Sequence, residues 1–209
     1  MFGLAILVVL LVYLLLSIGV VRWAVGYARQ NGKSAKKWGW GAALVMYSLV
    51  FWDWLPTVAV HQYYCAKDSG FWVYKTLEQW KAENPGVAET LVANKGVPST
   101  RDGDNTNFTN TYLLNQRFNW TSAYHDAIFA RLLPVRKIEQ TVIDTQTHDV
   151  LARYVDFSVG YGNVMLRNDD GLRGFKFWLA NKHCIGGEMN DSKLAHFFIA
   201  AENINQKAR

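Results

Sequence analysis

The chain opens with its least polar stretch. Residues 2–21, FGLAILVVLLVYLLLSIGVV, carry no charge. Twenty residues at 1.5 Å each reach about 30 Å, one hydrocarbon thickness. Nothing basic precedes the run and no Ala-x-Ala site follows it, so the pattern predicts a retained transmembrane helix rather than a cleaved leader. A second apolar stretch, WGWGAALVMYSLVFWDW, covers 38–54 and continues as LPTVAVHQYYC. Extended to residue 60 it is long enough to return across a bilayer, with Asp53 and Pro56 inside it. Trp23, Tyr27, Trp38 and Trp40 fall at one end of the two stretches, and Trp52, Trp54, Tyr63 and Tyr64 at the other, as in aromatic belts. The expectation is a hairpin of two membrane helices, about 2–21 and 38–60, joined by a turn at 22–37. Gly39-x-x-x-Ala43 offers a small-residue stripe for close helix packing.

Beyond residue 62 the pattern is that of a folded domain, 63–209. Val73, Leu77 and Trp80 fall at i, i+4, i+7 within GFWVYKTLEQWKAENPG, predicting a short helix over 70–86 that Asn84-Pro85-Gly86 ends. VAETLVANKG, 87–96, reads as another, closed by Gly96. Turn formers fill 98–111, predicting an exposed loop. The period then shifts towards two. In 151–159, Leu151, Val155, Phe157 and Val159 share one face. The stretch 136–159 reads as strand, turn at 144–148, strand. Further strands are expected near 163–167 and 173–180, giving an antiparallel meander of about four. The tail, 192–204, is ambiguous and leans to helix. The expected fold is a membrane-anchored α+β protein.

The formal charge is +5, and its location decides its meaning. Arg22, Arg29, Lys33, Lys36 and Lys37 lie in the predicted turn with no acid among them. From residue 62 onward, 17 basic residues face 16 acidic ones. The excess belongs to the turn, and a nucleic-acid footprint on the folded domain is not expected. Basic residues next to membrane ends stay cytoplasmic. Both termini and the whole domain are then expected outside, in the periplasm of a bacterial inner membrane.

Two cysteines, Cys65 and Cys184, would then sit in an oxidising compartment. A disulfide, two unpaired structural thiols and a Cys184 nucleophile helped by His125 or His183 are the three readings they allow. Asp53 is either interfacial, between Trp52 and Trp54, or an intramembrane carboxylate of functional weight. Asp102-Gly-Asp104-Asn-Thr-Asn107 is rich in oxygen ligands, but an EF-hand count from Asp102 puts Leu113 where a Glu is needed. Among His61, His125, His148, His183 and His196 no two stand at i, i+4, so no helical zinc pair is expected. Asn107-Phe-Thr, Asn119-Trp-Thr and Asn190-Asp-Ser match the glycan acceptor pattern. No cofactor or metal is expected.

The segment FWDWLPTVAVHQYYCAKDSGFWVYKT, 51–76, resembles a juxtamembrane signature of small uncharacterised bacterial membrane proteins: Asp53 and Pro56 near the end of an apolar helix, then Cys65, Gly70 and the run Val73 to Thr76. Residues 142–152, Val-Ile-Asp-Thr-Gln-Thr-His-Asp-Val-Leu-Ala, resemble a strand-turn-strand phrase of secreted bacterial domains. The resemblance implies an inner-membrane protein and carries no activity. Two spans, a near-neutral domain and no clustered catalytic group make the expected function an accessory or interaction subunit of an envelope complex, with the bilayer and a protein partner or second copy as its contacts. The alternative is an envelope hydrolase or thiol enzyme using Cys184 with a His.

Overall fold

A computed structural model describes residues 2–105, 107–126, 133–160, 179 and 182–205. These fall into two compact units, 2–56 and the remainder.

The first unit begins with α1, Phe2–Gln30. Its portion Leu7–Gln30, 24 residues, is long and apolar enough to cross a membrane. The helix runs well past residue 21, so Arg22 and Arg29 lie within it and the expected long turn shrinks to 31–34. Its end is set by Gly32, whose φ of 65° suits a left-handed C-terminal residue, while the Lys33 N–H donates to the Ala28 carbonyl. Helix α2, Ala35–Phe51, packs beside α1. Gly39 makes this possible: a Cβ there would lie 3.0 Å from Val25 Cγ2. Tyr27 and Trp38 meet with centroids 5.5 Å apart, and Lys33 Nζ stands 5.0 Å above the Trp38 ring. The Tyr13 hydroxyl donates to the Met46 carbonyl.

The second predicted span does not form as one helix. The chain breaks at Trp52 and Asp53, leaving α2 with 17 residues and a separate helix α3, Trp54–Asp68. Only α1 has the length and apolarity of a continuous span among the described residues. The interruption falls where Asp53 and Pro56 enter the apolar run, and a proline removes a helical donor.

The second unit holds a six-stranded antiparallel sheet, where the sequence predicts about four strands. The strands are β1 (Gly70–Val73), β2 (Ser99–Gly103), β3 (Phe108–Leu113), β4 (Phe118–Asp126), β5 (Val135–Asp144) and β6 (Val150–Val159), in the order β1-β6-β5-β4-β3-β2. The predicted hairpin over 136–159 is β5–β6. Three expectations are corrected. Residues 70–73 are strand rather than helix, because Gly70 to Val73 pair along β6 opposite Val155 to Ala152. The expected loop at 98–111 is mostly β2 and β3, whose turn is made at Gly103, φ 110°, and Asp104. Turn-forming side chains there do not oppose pairing on an edge strand whose five residues are all exposed. The expected second helix over 87–96 reduces to a 3-10 turn, Ala88–Thr90. The strands expected near 163–167 and 173–180 lie outside the described residues but for Leu179.

Helix α4 is shorter than expected, Leu77–Glu83, because Thr76 caps it: the Gln79 N–H donates to Thr76 Oγ1 while the Thr76 N–H donates to Gln79 Oε1. A bulge in β6 anchors the segment between β1 and α4. Leu151 is the extra residue opposite Val142 and Ile143, and its carbonyl accepts the N–H groups of Tyr74 and Lys75. Helix α5, Gly187–Glu202, covers one sheet face. Trp120 stacks on Phe198 at 4.5 Å, and Leu194 is wholly buried. Trp80 and Phe118, edge to face at 4.8 Å, complete this core with Leu114, Val142 and Leu151.

At one end of the core lies a buried polar centre. The Trp80 indole and the Arg117 guanidinium each donate to Asp144, both at 2.7 Å, and the amides of Gln146 and Thr147 add to them. Burial pushes this carboxyl up, but the four donors outweigh it and hold its pKa down to about 2.

Candidate functional site

The groups with the most chemistry collect where α3 meets β6. On α3, His61 and Cys65 stand one turn apart on the same face. Cys65 is joined to Cys184 in a disulfide with Cα atoms 5.4 Å apart. The pair closes 119 residues of sequence and ties α3 to the segment preceding α5. His61 Nε2 lies 3.3 Å from Cys65 Sγ and donates to the Phe157 carbonyl at 3.0 Å. One step along α3, Tyr64 stacks on Phe157 at 5.1 Å.

Strand alternation places Phe157 on the α3 side of β6 and Asp156 on the α5 side. Asp156 is buried, 1% exposed. Its Oδ1 accepts the Cys184 N–H at 3.1 Å, and its Oδ2 lies 2.6 Å from His183 Nδ1. It also faces the first turn of α5, where the helix dipole favours negative charge. Gly187 permits that approach: a Cβ there would stand 3.3 Å from both carboxylate oxygens. Nearby, the Tyr154 hydroxyl donates to the Gly187 carbonyl. Burial, with the negative charges of Asp156 and Asp191 behind it, raises its pKa.

His61 Nε2 and the two sulfurs all lie within 4.8 Å of one another. No two histidines stand at i, i+4, but His61 and Cys65 do, and that spacing is legible in the chain itself.

Comparison of the chain with protein-family models, curated proteins and solved structures finds no match. The site is therefore read from its own chemistry.

The other expected site residues are dispersed. His125 lines a groove of about 490 Å³ on the opposite sheet face from α5, with Lys67, Trp72, Lys137 and Arg153, and the groove adjoins the disulfide site through Tyr64 and Phe157. Glu139 joins Lys137 at 2.6 Å and Arg153 at 2.7 Å. Burial raises the Glu139 pKa, but these two cations outweigh it and the net shift is downward. His148 occupies the β5–β6 turn with φ 60°, and His196 is on α5. The Asp104 carboxylate accepts the Asn107 N–H at 2.6 Å, a loop-closing bond. Asp53 is fully buried at the break between α2 and α3. Arg22, Arg29, Lys33, Lys36 and Lys37 are all exposed.

Proposed function

We propose that the protein is a membrane-anchored accessory subunit that presents its α+β domain on the outer side of a bacterial inner membrane. The Cys65–Cys184 disulfide carries this reading. Disulfides persist in oxidising compartments, whereas five basic side chains around the α1–α2 turn favour the cytoplasm. Turn and disulfide then belong to opposite sides. Since α1 leads into the basic turn, the chain must cross back before Cys65. The broken pair α2 and α3 is the segment available to do so. Both termini are then periplasmic, and the near-neutral domain faces a protein partner rather than nucleic acid.

The thiol-enzyme reading has less support. The Cys184 sulfur is engaged in the disulfide, the His183 ring is engaged by Asp156, and His125 lines the adjoining groove.

Fusing alkaline phosphatase after Arg209 tests the topology. Active enzyme on the fusion is expected, and a fluorescent protein at the same place that matures in the cytosol would overturn the two-crossing argument. For the subunit role, mild detergent extraction should recover the chain with a larger envelope assembly. Recovery solely as a free monomer would count against it.

A further inference from the structure

We propose that reduction of the Cys65–Cys184 disulfide converts the site into a zinc site with Cys65, Cys184 and His61 as ligands. This goes beyond the anchoring reading and does not rest on it. Tetrahedral zinc holds thiolate sulfur at about 2.3 Å and imidazole nitrogen at about 2.0 Å, so sulfur and nitrogen ligands stand about 3.5 Å apart and two sulfurs about 3.8 Å apart. His61 Nε2 is already 3.3 Å from Cys65 Sγ. All three donor atoms lie within 4.8 Å. The sulfurs must swing apart about their Cα–Cβ bonds, and the His61 ring must turn its Nε2 from the Phe157 carbonyl towards them. Two soft thiolates with one imidazole match zinc rather than calcium or magnesium. Three protein ligands leave the fourth position for water.

The surroundings suit such a site. Cys184 is buried while Cys65 and His61 are half-buried, so metal has a route in from the α3 side. Asp156 fixes the Cys184 backbone through its N–H, a supporting contact behind the ligand.

Opening the site requires a two-electron reductant, here a dithiol. Its thiolate attacks the more accessible Cys65 sulfur, forming a mixed disulfide and expelling the Cys184 thiolate. The second thiol of the reductant then closes on its own sulfur and releases the Cys65 thiolate. The reductant leaves as a disulfide, and two electrons have passed to the cysteines. Zinc takes the place of their two protons and of the proton on His61 Nε2, which leaves the Phe157 carbonyl as the imidazole adopts its Nδ1–H form. The domain is thus stapled by sulfur when oxidised and by metal when reduced.

The test uses full-length protein in detergent, reduced with a phosphine and titrated with cobalt(II). One equivalent should produce thiolate-to-cobalt charge transfer with tetrahedral d–d bands, and one equivalent of zinc(II) should abolish them. Unreduced protein should show neither. H61A should weaken cobalt binding by about ten-fold or more. Zinc should also raise the melting temperature of the reduced wild type and not that of reduced H61A. Absence of charge transfer in the reduced protein would overturn the proposal. So would equal binding by H61A, the behaviour expected of thiolates in an unfolded chain, or the same bands without reduction.

Discussion

Replacing Asp144 with Asn tests the buried centre at the end of the β5–β6 hairpin. The substitution keeps the shape of the side chain and removes the charge that Arg117 and Trp80 address at 2.7 Å. The carboxyl pKa falls from 3.8 to about 2 on folding. A fall of that size corresponds to roughly 2 kcal/mol of stability favouring the charged folded form. Because the folded-state pKa is the lower one, this contribution is complete above the unfolded value and is lost as pH falls through the folded value. The wild type should therefore exceed Asp144→Asn by roughly 2 kcal/mol or more at pH 6, since the amide also sets its N–H donors against other donors. The difference should start to close below pH 4, and the charge-dependent part should vanish near pH 2. Urea unfolding followed by far-UV circular dichroism across this range reads both numbers. A stability difference that stays constant from pH 6 to pH 2 would refute the charge argument. A difference under about 0.5 kcal/mol at pH 6 would show that the centre contributes little.

Three further outcomes follow from the packing. Reducing the Cys65–Cys184 bond in metal-free buffer should cost about 4 to 5 kcal/mol, the chain-entropy value for a loop of this length, read as a lower urea midpoint for the sheet unit. Trp80→Ala empties a fully buried site against Phe118 and removes a donor from Asp144, so a loss of about 3–5 kcal/mol is expected in the same assay. In Gly187→Ala the new methyl meets both oxygens of Asp156, which the Cys184 amide and His183 hold in place; a destabilisation of about 1–3 kcal/mol is expected, and a neutral or higher melting temperature would mean that Asp156 moves freely.

Local pattern alone was sufficient for several elements. The uncharged run at the N-terminus specified an apolar helix because side-chain transfer to lipid is nearly additive along the chain. The strand, polar turn, strand pattern over 136–159 specified the β5–β6 hairpin because turn formers at 144–148 separate two β-rich runs, although β6 proves buried on both faces and its bulge takes Leu151 out of the face expected for it. The capping pair Thr76 and Gln79 was present too, but the apolar spacing of Val73 drew the predicted helix start seven residues early. Where pairing partners are far apart in sequence, local pattern carried less. Gly70 to Val73 are a strand only because β6, some eighty residues later, supplies the hydrogen bonds. The polar stretch from Ser99 to Gly103 is a strand only because β3 folds back on it.

The candidate site divides in the same way. Two cysteines and the i, i+4 step from His61 to Cys65 are properties of the chain. That Cys184 arrives beside them, with Asp156 beneath its amide and the Phe157 carbonyl beside His61, depends on α3 and the segment before α5 converging on β6. Such convergence is a matter of long-range packing, to which no periodicity of neighbouring residues responds.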